Sequence, residues 1–257
     1  MKQEDKEMVK YGIIGYPLWH SKSPAAFTAA YGGKWAFDRV ENPDFDVCWK
    51  RFLDEYAGLT VTNPFKELAF RHSDVITPEV ERIRATNLVV KTPEGIKAYN
   101  SDYRGLVQCI GKAGFRKGDT ALIVGCGGAG KAAAAAASEL GLNTLITNRT
   151  IAKAEAMHEH MGLEIHPFFD PIDCDLVIYT IPGKIDNLER FHARTVLEAN
   201  YANPSYDEAL LKKIGASYIN GKVWHYEQAV AGYELMTGVA PDRDSVFKVY
   251  ELTGWSK

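Results

Sequence analysis

The sequence predicts an α/β protein with a mostly parallel sheet, and three observations carry that expectation. Apolar runs of strand length alternate with helical segments along the N-terminal part of the chain, the pattern of strands joined through crossover helices. A strand, a glycine loop, a helix and a second strand follow one another between Ala121 and Thr150. Leu88-Val89-Val90-Lys91 and Ile96-Lys97-Ala98-Tyr99 flank Thr92-Pro93-Glu94-Gly95, which has turn chemistry between two hairpin arms.

The elements are justified in order. Tyr11-Gly12-Ile13-Ile14-Gly15 is apolar and of strand length. Pro24 to Tyr31 follows as a helix, with Ser23 as the expected cap and Pro at the first helical position. Ala36 to Val40 reads as a strand, Phe45 to Tyr56 as a helix, and Leu59 to Thr62 as a short strand stopped by Asn63-Pro64. After the hairpin, a helix from Tyr103 to Gly114 leads to the polar turn Arg116-Lys117-Gly118-Asp119. Later strands are expected at Leu176 to Ile181 and Thr195 to Asn200, and a helix at Tyr226 to Met236.

The stretch Ala121 to Thr150 carries the strongest chemistry. The run Ala121-Leu122-Ile123-Val124 enters the loop Gly125-Cys126-Gly127-Gly128-Ala129-Gly130, and an alanine-rich helix is expected from Lys131 to Leu140. In a dinucleotide-binding loop the first glycine makes the tight turn and the middle ones admit a pyrophosphate. The last lets helix and sheet approach, and the helix N-terminus faces the phosphates. The second strand ends on Asn148-Arg149-Thr150, with Lys153 one helical turn on. NAD sites place a carboxylate there for the ribose 2′-hydroxyl. A guanidinium suits a 2′-phosphate instead, so the expected cofactor is NADP. The competing account is a solvated basic turn at a helix start.

Composition bounds the rest. A chain of 257 residues can bury one large core or two small ones. Its 46% hydrophobic and 25% charged residues are ordinary for a globular protein. A net charge of -3 gives no electrostatic case for nucleic acid or an anionic membrane. No apolar run approaches the ~20 residues of a membrane span. Met1 to Lys10 is charged, lacks the apolar core of a signal peptide, and is expected to be a short mobile tail. Cys48, Cys109, Cys126 and Cys174 are scattered, which suits reduced thiols and a cytoplasmic location. Cys126 reads as a small filler of its loop. His158 and His160 fall on different faces of a helix, and no metal site is expected.

Several segments together resemble the shikimate dehydrogenase family. Gly15-Tyr16-Pro17-Leu18-Trp19-His20-Ser21-Lys22-Ser23-Pro24 is similar to its N-terminal substrate motif. Leu59-Thr60-Val61-Thr62-Asn63-Pro64-Phe65-Lys66-Glu67 is similar to the segment with its catalytic lysine. Ala85-Thr86-Asn87 and Tyr99-Asn100-Ser101-Asp102 resemble the next two substrate motifs. Gly125 to Lys131 and Asn148-Arg149-Thr150 match its NADP loop and 2′-phosphate clamp, and Gln228-Ala229 with Tyr233 to Gly238 its closing helix.

The resemblance implies a fold and an activity. It implies an N-terminal α/β substrate domain over residues 1–102 and a Rossmann-type NADP-binding domain over 103–222. C-terminal helices over 223–257 return to the first domain. It also implies reversible reduction of 3-dehydroshikimate to shikimate with NADPH, in aromatic amino-acid biosynthesis. The partner is then a small molecule, with no nucleic acid and no membrane, and the protein a monomer or homodimer.

Residue types agree with that chemistry. Ketone reduction needs a hydride and a proton for the new alkoxide, and Lys66 can supply the proton or steady the negative charge. Otherwise Lys66 is a solvated lysine after a proline turn. Asp102 would hold Lys66 and accept from a substrate hydroxyl, or cap the helix beginning near Tyr103. Ser21 and Ser23 offer hydroxyls to a carboxylate, and Ser23 competes as a helix cap. Thr62, Asn87 and Gln228 suit ring hydroxyls. Cofactor contacts fall to Gly125, Gly127, Gly128, Ala129, Gly130, Asn148, Arg149, Thr150 and Lys153.

The chain departs from the family pattern at several positions. Thr60 stands for an Asn, Phe27-Thr28 for His-Asn, Ala98 for a Gly and Ser101 for a Thr. In Tyr201-Ala202-Asn203-Pro204 the usual tyrosine position is Ala202, so Tyr201 is the substitute contact. Trp224-His225 replace Met-Leu before the glutamine helix, and Ile178 to Gly183 replaces an Asn-Ala-Thr run. Alternative functions are a quinate/shikimate dehydrogenase of broader specificity or a non-catalytic NADP-binding paralogue.

Overall fold

A computed structural model describes residues 9–19 and 21–252. The expected tail up to Met8 and His20 of the serine motif lie outside the described residues. The chain divides into two units, Met1–Ser101 with Ala229–Lys257, and Asp102–Gln228.

The first unit contains β1 (Lys10–Gly15), α1 (Ser23–Tyr31), β2 (Ala36–Glu41), α2 (Phe45–Glu55) and β3 (Gly58–Val61). It continues through α3 (Lys66–Arg71), β4 (Val75–Ile76), α4 (Pro78–Ile83), β5 (Leu88–Thr92) and β6 (Gly95–Tyr99). The sheet order is β2-β1-β3-β5-β6-β4. β1 runs parallel to β2 and β3, and the expected hairpin β5–β6 joins antiparallel to β3.

α2 forms for reasons visible in its sequence. Asp44 caps it through the amide of Asp46, and Phe45, Cys48, Trp49 and Phe52 recur at helical spacing and are buried. Its outer face carries Lys50–Asp54 and Arg51–Glu55 ion pairs at 2.6 and 3.0 Å, both exposed. Exposed pairs of this kind contribute little, so the apolar face holds the helix. That face packs on Ile14, Leu59, Val61 and Val89 of the sheet. On the opposite face, Phe27 of α1 stacks within 4.6 Å of Phe37 and 5.3 Å of Tyr11.

The start of α1 corrects one expectation. Ser23 is the first helical residue, and the cap position falls on Lys22, with no side-chain cap bond. The hydroxyl that serves the helix start belongs to Ser21, whose Oγ accepts from the Ser23 amide at 3.3 Å.

The second unit opens with α5 (Ser101–Lys112), whose first residue, Ser101, still belongs to the first unit. β7 (Thr120–Val124), α6 (Gly128–Glu139), β8 (Asn143–Thr147), α7 (Ile151–Met161), β9 (Glu164–Ile165) and β10 (Ile172–Tyr179) follow. A 3₁₀ turn at Leu188–Arg190, β11 (Phe191–Glu198), α8 (Glu208–Ile214) and β12 (Ser217–Asn220) complete the sheet region. All six strands are parallel, in the order β12-β11-β10-β7-β8-β9. Numbered from β7, that is the doubly wound 3-2-1-4-5-6 order, whose direction reverses between β7 and β10.

Three further boundaries differ from the sequence expectation. Asp102 is not a cap but lies in the first turn of α5. α6 starts at Gly128 rather than Lys131. A Cβ on Gly130 would come within 1.8 Å of the Gly125 carbonyl oxygen, so glycine here permits a helix close against the turn. Ala132 to Ala137 are all buried, their small side chains allowing the same approach along the helix.

The third boundary is that of α9 (Gly221–Thr237), which starts well before Tyr226. A Cβ on Gly221 would lie 2.5 Å from the carbonyl oxygens of Glu198 and Ala199. The last part of α9, together with α10 (Arg243–Tyr250), belongs to the first unit. There α10 packs on α1, and the Asp242 amide donates to the Ala30 carbonyl at 2.9 Å. C-terminal helices thus return to the first unit, as the fold class requires.

Among the described residues no helix is long and apolar enough to cross a membrane. Among them, too, no group of three or more His, Cys, Asp or Glu could hold a metal ion.

Candidate active site

In the second unit the carboxyl ends of the strands build a groove at the point where the strand order reverses. It has a volume of about 330 Å³ and is bordered by Gly125 to Gly127 after β7, Asn148 to Thr150 and Lys153 after β8, and Thr180 to Ile185 after β10. Open α/β sheets bind ligands at this place. Gly125 adopts φ of +111°, and its amide donates to the Thr147 carbonyl at 2.9 Å, which turns the chain sharply out of β7. A Cβ on Gly127 would meet nothing within 4 Å, so the loop has open space above it. Gly128, Ala129 and Gly130 form the first turn of α6, whose amides have no helical acceptors.

The side chains around the groove divide into braces and charges. Asn148 is a brace: Oδ1 accepts from the Cys126 amide at 3.3 Å, and Nδ2 donates to the Thr150 carbonyl at 2.9 Å. Thr180 is another, its hydroxyl donating to the Val124 carbonyl at 3.0 Å. The Tyr179 hydroxyl donates to the Gly183 carbonyl at 2.6 Å and ties down the loop after β10. The charges are Arg149, Lys153 and Lys184, with Lys184 paired to Asp207 at 3.3 Å. No carboxylate stands among the lining residues. A dianionic group therefore suits the groove, and a bare ribose hydroxyl finds no acidic acceptor there. Burial pushes the Cys126 thiol up to about 11, consistent with its reading as filler.

From the sequence, Ile178 to Gly183 is noted only as a departure from the family run, and Lys184 and Ile185 were not reached. A hydroxyl residue directly after the strand beside β7, followed by the Pro182-Gly183 break, is the signal that marks them.

In the first unit, hydrogen bonds join three of the motif segments. β3 ends at Val61, whose amide donates to the Asn87 carbonyl at 2.8 Å. The Thr62 amide donates to Ile14 at 2.9 Å, and a Cβ on Gly15 would lie 2.3 Å from the Thr62 methyl carbon. Lys66 begins α3, is half-buried, and its carbonyl accepts from the Thr86 amide at 3.0 Å. Asn87 is buried and bonded twice to Ser101: Oδ1 accepts from the Ser101 amide at 2.7 Å, and Nδ2 donates to its hydroxyl at 3.0 Å.

Ser21 and Ser23 lie half-buried at the start of α1. The Ser21 carbonyl accepts from Arg39 at 2.8 Å, and the Ser23 carbonyl from the Tyr233 hydroxyl at 3.0 Å.

The remaining candidates lie in the second unit. Asp102 is buried, and its carbonyl accepts from the Trp224 indole at 3.0 Å. Tyr201 meets His225 edge to face, ring centres 4.6 Å apart, and His225 Nδ1 faces the Gln228 amide nitrogen at 3.5 Å. Tyr201, Gln228 and the start of α5 are thereby linked through the Trp224-His225 pair.

Fold and site define a class: a two-unit α/β protein whose second unit is doubly wound with a cationic groove at its switch point, and whose first unit is rich in hydroxyl and amide groups. Residues 13–89 match the family model of the shikimate dehydrogenase substrate binding domain. A shikimate dehydrogenase (NADP(+)) of Caldanaerobacter subterraneus subsp. tengcongensis is 30% identical over 268 residues, covering 93% of this chain and 95% of the relative. The chain belongs to the shikimate dehydrogenase family.

A Thermus thermophilus shikimate dehydrogenase (NADP(+)) is 32% identical over 165 residues, a match spanning 62% of this chain and 63% of the relative. A shikimate 5-dehydrogenase of Thermus thermophilus, solved with NADP(H) and shikimate, superposes with a TM-score of 0.85 at 25% identity. That superposition covers 95% of this chain and 99% of the other.

Proposed function

We propose that the protein catalyses the reversible NADPH-dependent reduction of 3-dehydroshikimate to shikimate. The observation that carries this is the groove at the β7–β10 switch point, with Arg149 and Lys153 at the end of β8 and no carboxylate in its lining. NADP fits those residues. Gly127 and the first-turn amides of Gly128 to Gly130 would hold the pyrophosphate, and Arg149 and Lys153 would take the 2′-phosphate.

When bound, the cofactor supplies the hydride. The chain's own residues do the rest. Lys66 delivers a proton to the substrate oxygen as it gains charge. Asp102 accepts from a substrate hydroxyl. Ser21 and Ser23 bind the substrate carboxylate, while Thr62, Asn87, Tyr201 and Gln228 hold ring hydroxyls. These hydroxyl and carboxylate contacts orient the ring so that only one face meets the hydride.

The protein is taken to work as a monomer or a homodimer. Its four free thiols suit the reducing cytoplasm. The test is to add NADP with shikimate, and separately with quinate, and follow formation of the reduced nicotinamide. Turnover with shikimate is expected. Comparable turnover with quinate would make it a broad-specificity relative, and NADPH binding without turnover a non-catalytic paralogue.

A further inference from the structure

Two residues that replace the family's usual Met-Leu, Trp224 and His225, sit where the second unit's candidate residues meet. Trp224 is buried and its indole N–H donates to the Asp102 carbonyl at 3.0 Å, which fixes the first turn of α9 on the first turn of α5. The loop bearing Tyr201 is fixed independently. Glu198 is fully buried and accepts from the amides of Ser205 at 2.6 Å and Tyr206 at 3.2 Å, and from the Tyr218 hydroxyl at 3.1 Å. Asn200 closes the loop on itself, donating to the Asn203 carbonyl at 2.8 Å. His225 lies between these two anchored pieces, its ring 4.6 Å from that of Tyr201 and its Nδ1 3.5 Å from the Gln228 amide nitrogen.

We propose that His225 is a positioning and specificity-determining residue that sets which end of the Gln228 amide meets the substrate's ring hydroxyls. The proposal rests on the function proposed above. An amide nitrogen can only donate, so Nδ1 accepts and the ring proton lies on Nε2. With its nitrogen engaged by Nδ1, the Gln228 amide directs Oε1 the other way, as an acceptor for a hydroxyl proton. At 3.5 Å the contact is at the outer limit of hydrogen bonding, as such contacts often are before substrate binds. A leucine at this position supplies no acceptor, so that restraint on the amide is lost. Tyr201 packs on the same imidazole, so one side chain orients both candidates.

The test compares His225→Leu, which restores the usual residue, with His225→Asn, whose Oδ1 takes the place of Nδ1. Initial rates with NADP and shikimate are measured for both variants and the wild type, with NADPH binding as a control for the fold. A hydroxyl contact binds ground state and transition state alike, so its loss appears in KM rather than kcat. His225→Leu is expected to raise the KM for shikimate roughly three- to tenfold, the effect of about one neutral hydrogen bond, with kcat changed less than twofold. His225→Asn should restore KM to within about twofold. An unchanged KM in the leucine variant overturns the proposal, as does an asparagine variant no better than leucine.

If either variant loses NADPH binding, shikimate titrations of the wild type and His225→Phe, which keeps a ring but supplies no acceptor, decide instead: a dissociation constant raised threefold or more in the variant supports the proposal, and an unchanged one overturns it. If the wild type turns over no shikimate, the proposed function fails on its own. Binding titrations of shikimate to wild type and His225→Leu then decide this inference, and equal affinities, or no binding to either, overturn it.

Discussion

Arg149→Ala should convert an NADP-selective protein into one nearly indifferent to the 2′-phosphate. The magnitude follows from the groove. Asn148 is already engaged by the Cys126 amide and the Thr150 carbonyl, and Lys184 pairs with Asp207, so Arg149 and Lys153 carry the charge at the end of β8. Hydrogen bonds to charged groups are worth about 1.5–3 kcal/mol. Arg149 is exposed, so water screens its attraction and the lower half of that range applies.

A loss of about 1.5–2 kcal/mol lowers kcat/KM for NADP roughly 10- to 30-fold. NAD has no phosphate to lose, and its kcat/KM should stay within twofold. The wild type should prefer NADP by at least about tenfold, or 1.4 kcal/mol. Added salt should shrink that preference, because the contact is exposed. The assay is kcat/KM for both cofactors, in wild type and variant, at low and high salt. Equal wild-type activity with NAD and NADP, or a variant that weakens both equally, would refute the reasoning.

Other outcomes follow from the remaining site residues. Lys66→Ala should fold and bind NADPH but lose about 10²–10⁴ in kcat, the range for one acid–base group. Retention of more than roughly a third of wild-type kcat rules out that role. Ser21→Ala and Ser23→Ala should both raise the KM for shikimate more than they lower kcat. Only Ser21→Ala should also lose stability, by about 0.5–1 kcal/mol in denaturant melts, because its hydroxyl serves the Ser23 amide. If Ser23→Ala is the less stable variant, the helix start has been misread.

Thiol reactivity tests the interior. Burial raises all four cysteines, Cys126 to about 11 and Cys174 to about 12. Near neutral pH the folded protein should react slowly with a disulfide reagent, faster as pH climbs toward those values, and release four thiols at once when unfolded. Rapid labelling of the native protein near neutral pH would contradict that burial.

Local chemistry alone determined a good part of this protein. The turn residues of Thr92 to Gly95 set the β5–β6 hairpin, and the four apolar positions of α2 set its buried face. The glycine loop with its flanking apolar runs marked β7, α6 and β8, because short-range backbone freedom and side-chain period suffice there. The family motifs named the candidate residues.

Tertiary structure decided what depends on distant neighbours. α3 and α4 are six residues each, too short for a periodic signal, and exist because packing supports them. α6 and α9 begin at glycines, which propensity places in loops. There the close approach of Gly130 to Gly125, and of Gly221 to Glu198 and Ala199, outweighs propensity. Asp102 lost its expected capping role because α5 already starts at Ser101, whose amide is held by the Asn87 side chain fourteen residues before it. The meeting of Tyr201, His225 and Gln228 has no local signature, since it is made by a strand-end loop and a later helix. Sequence periodicity reports which face of an element is apolar; which element covers that face is settled only when the whole chain packs.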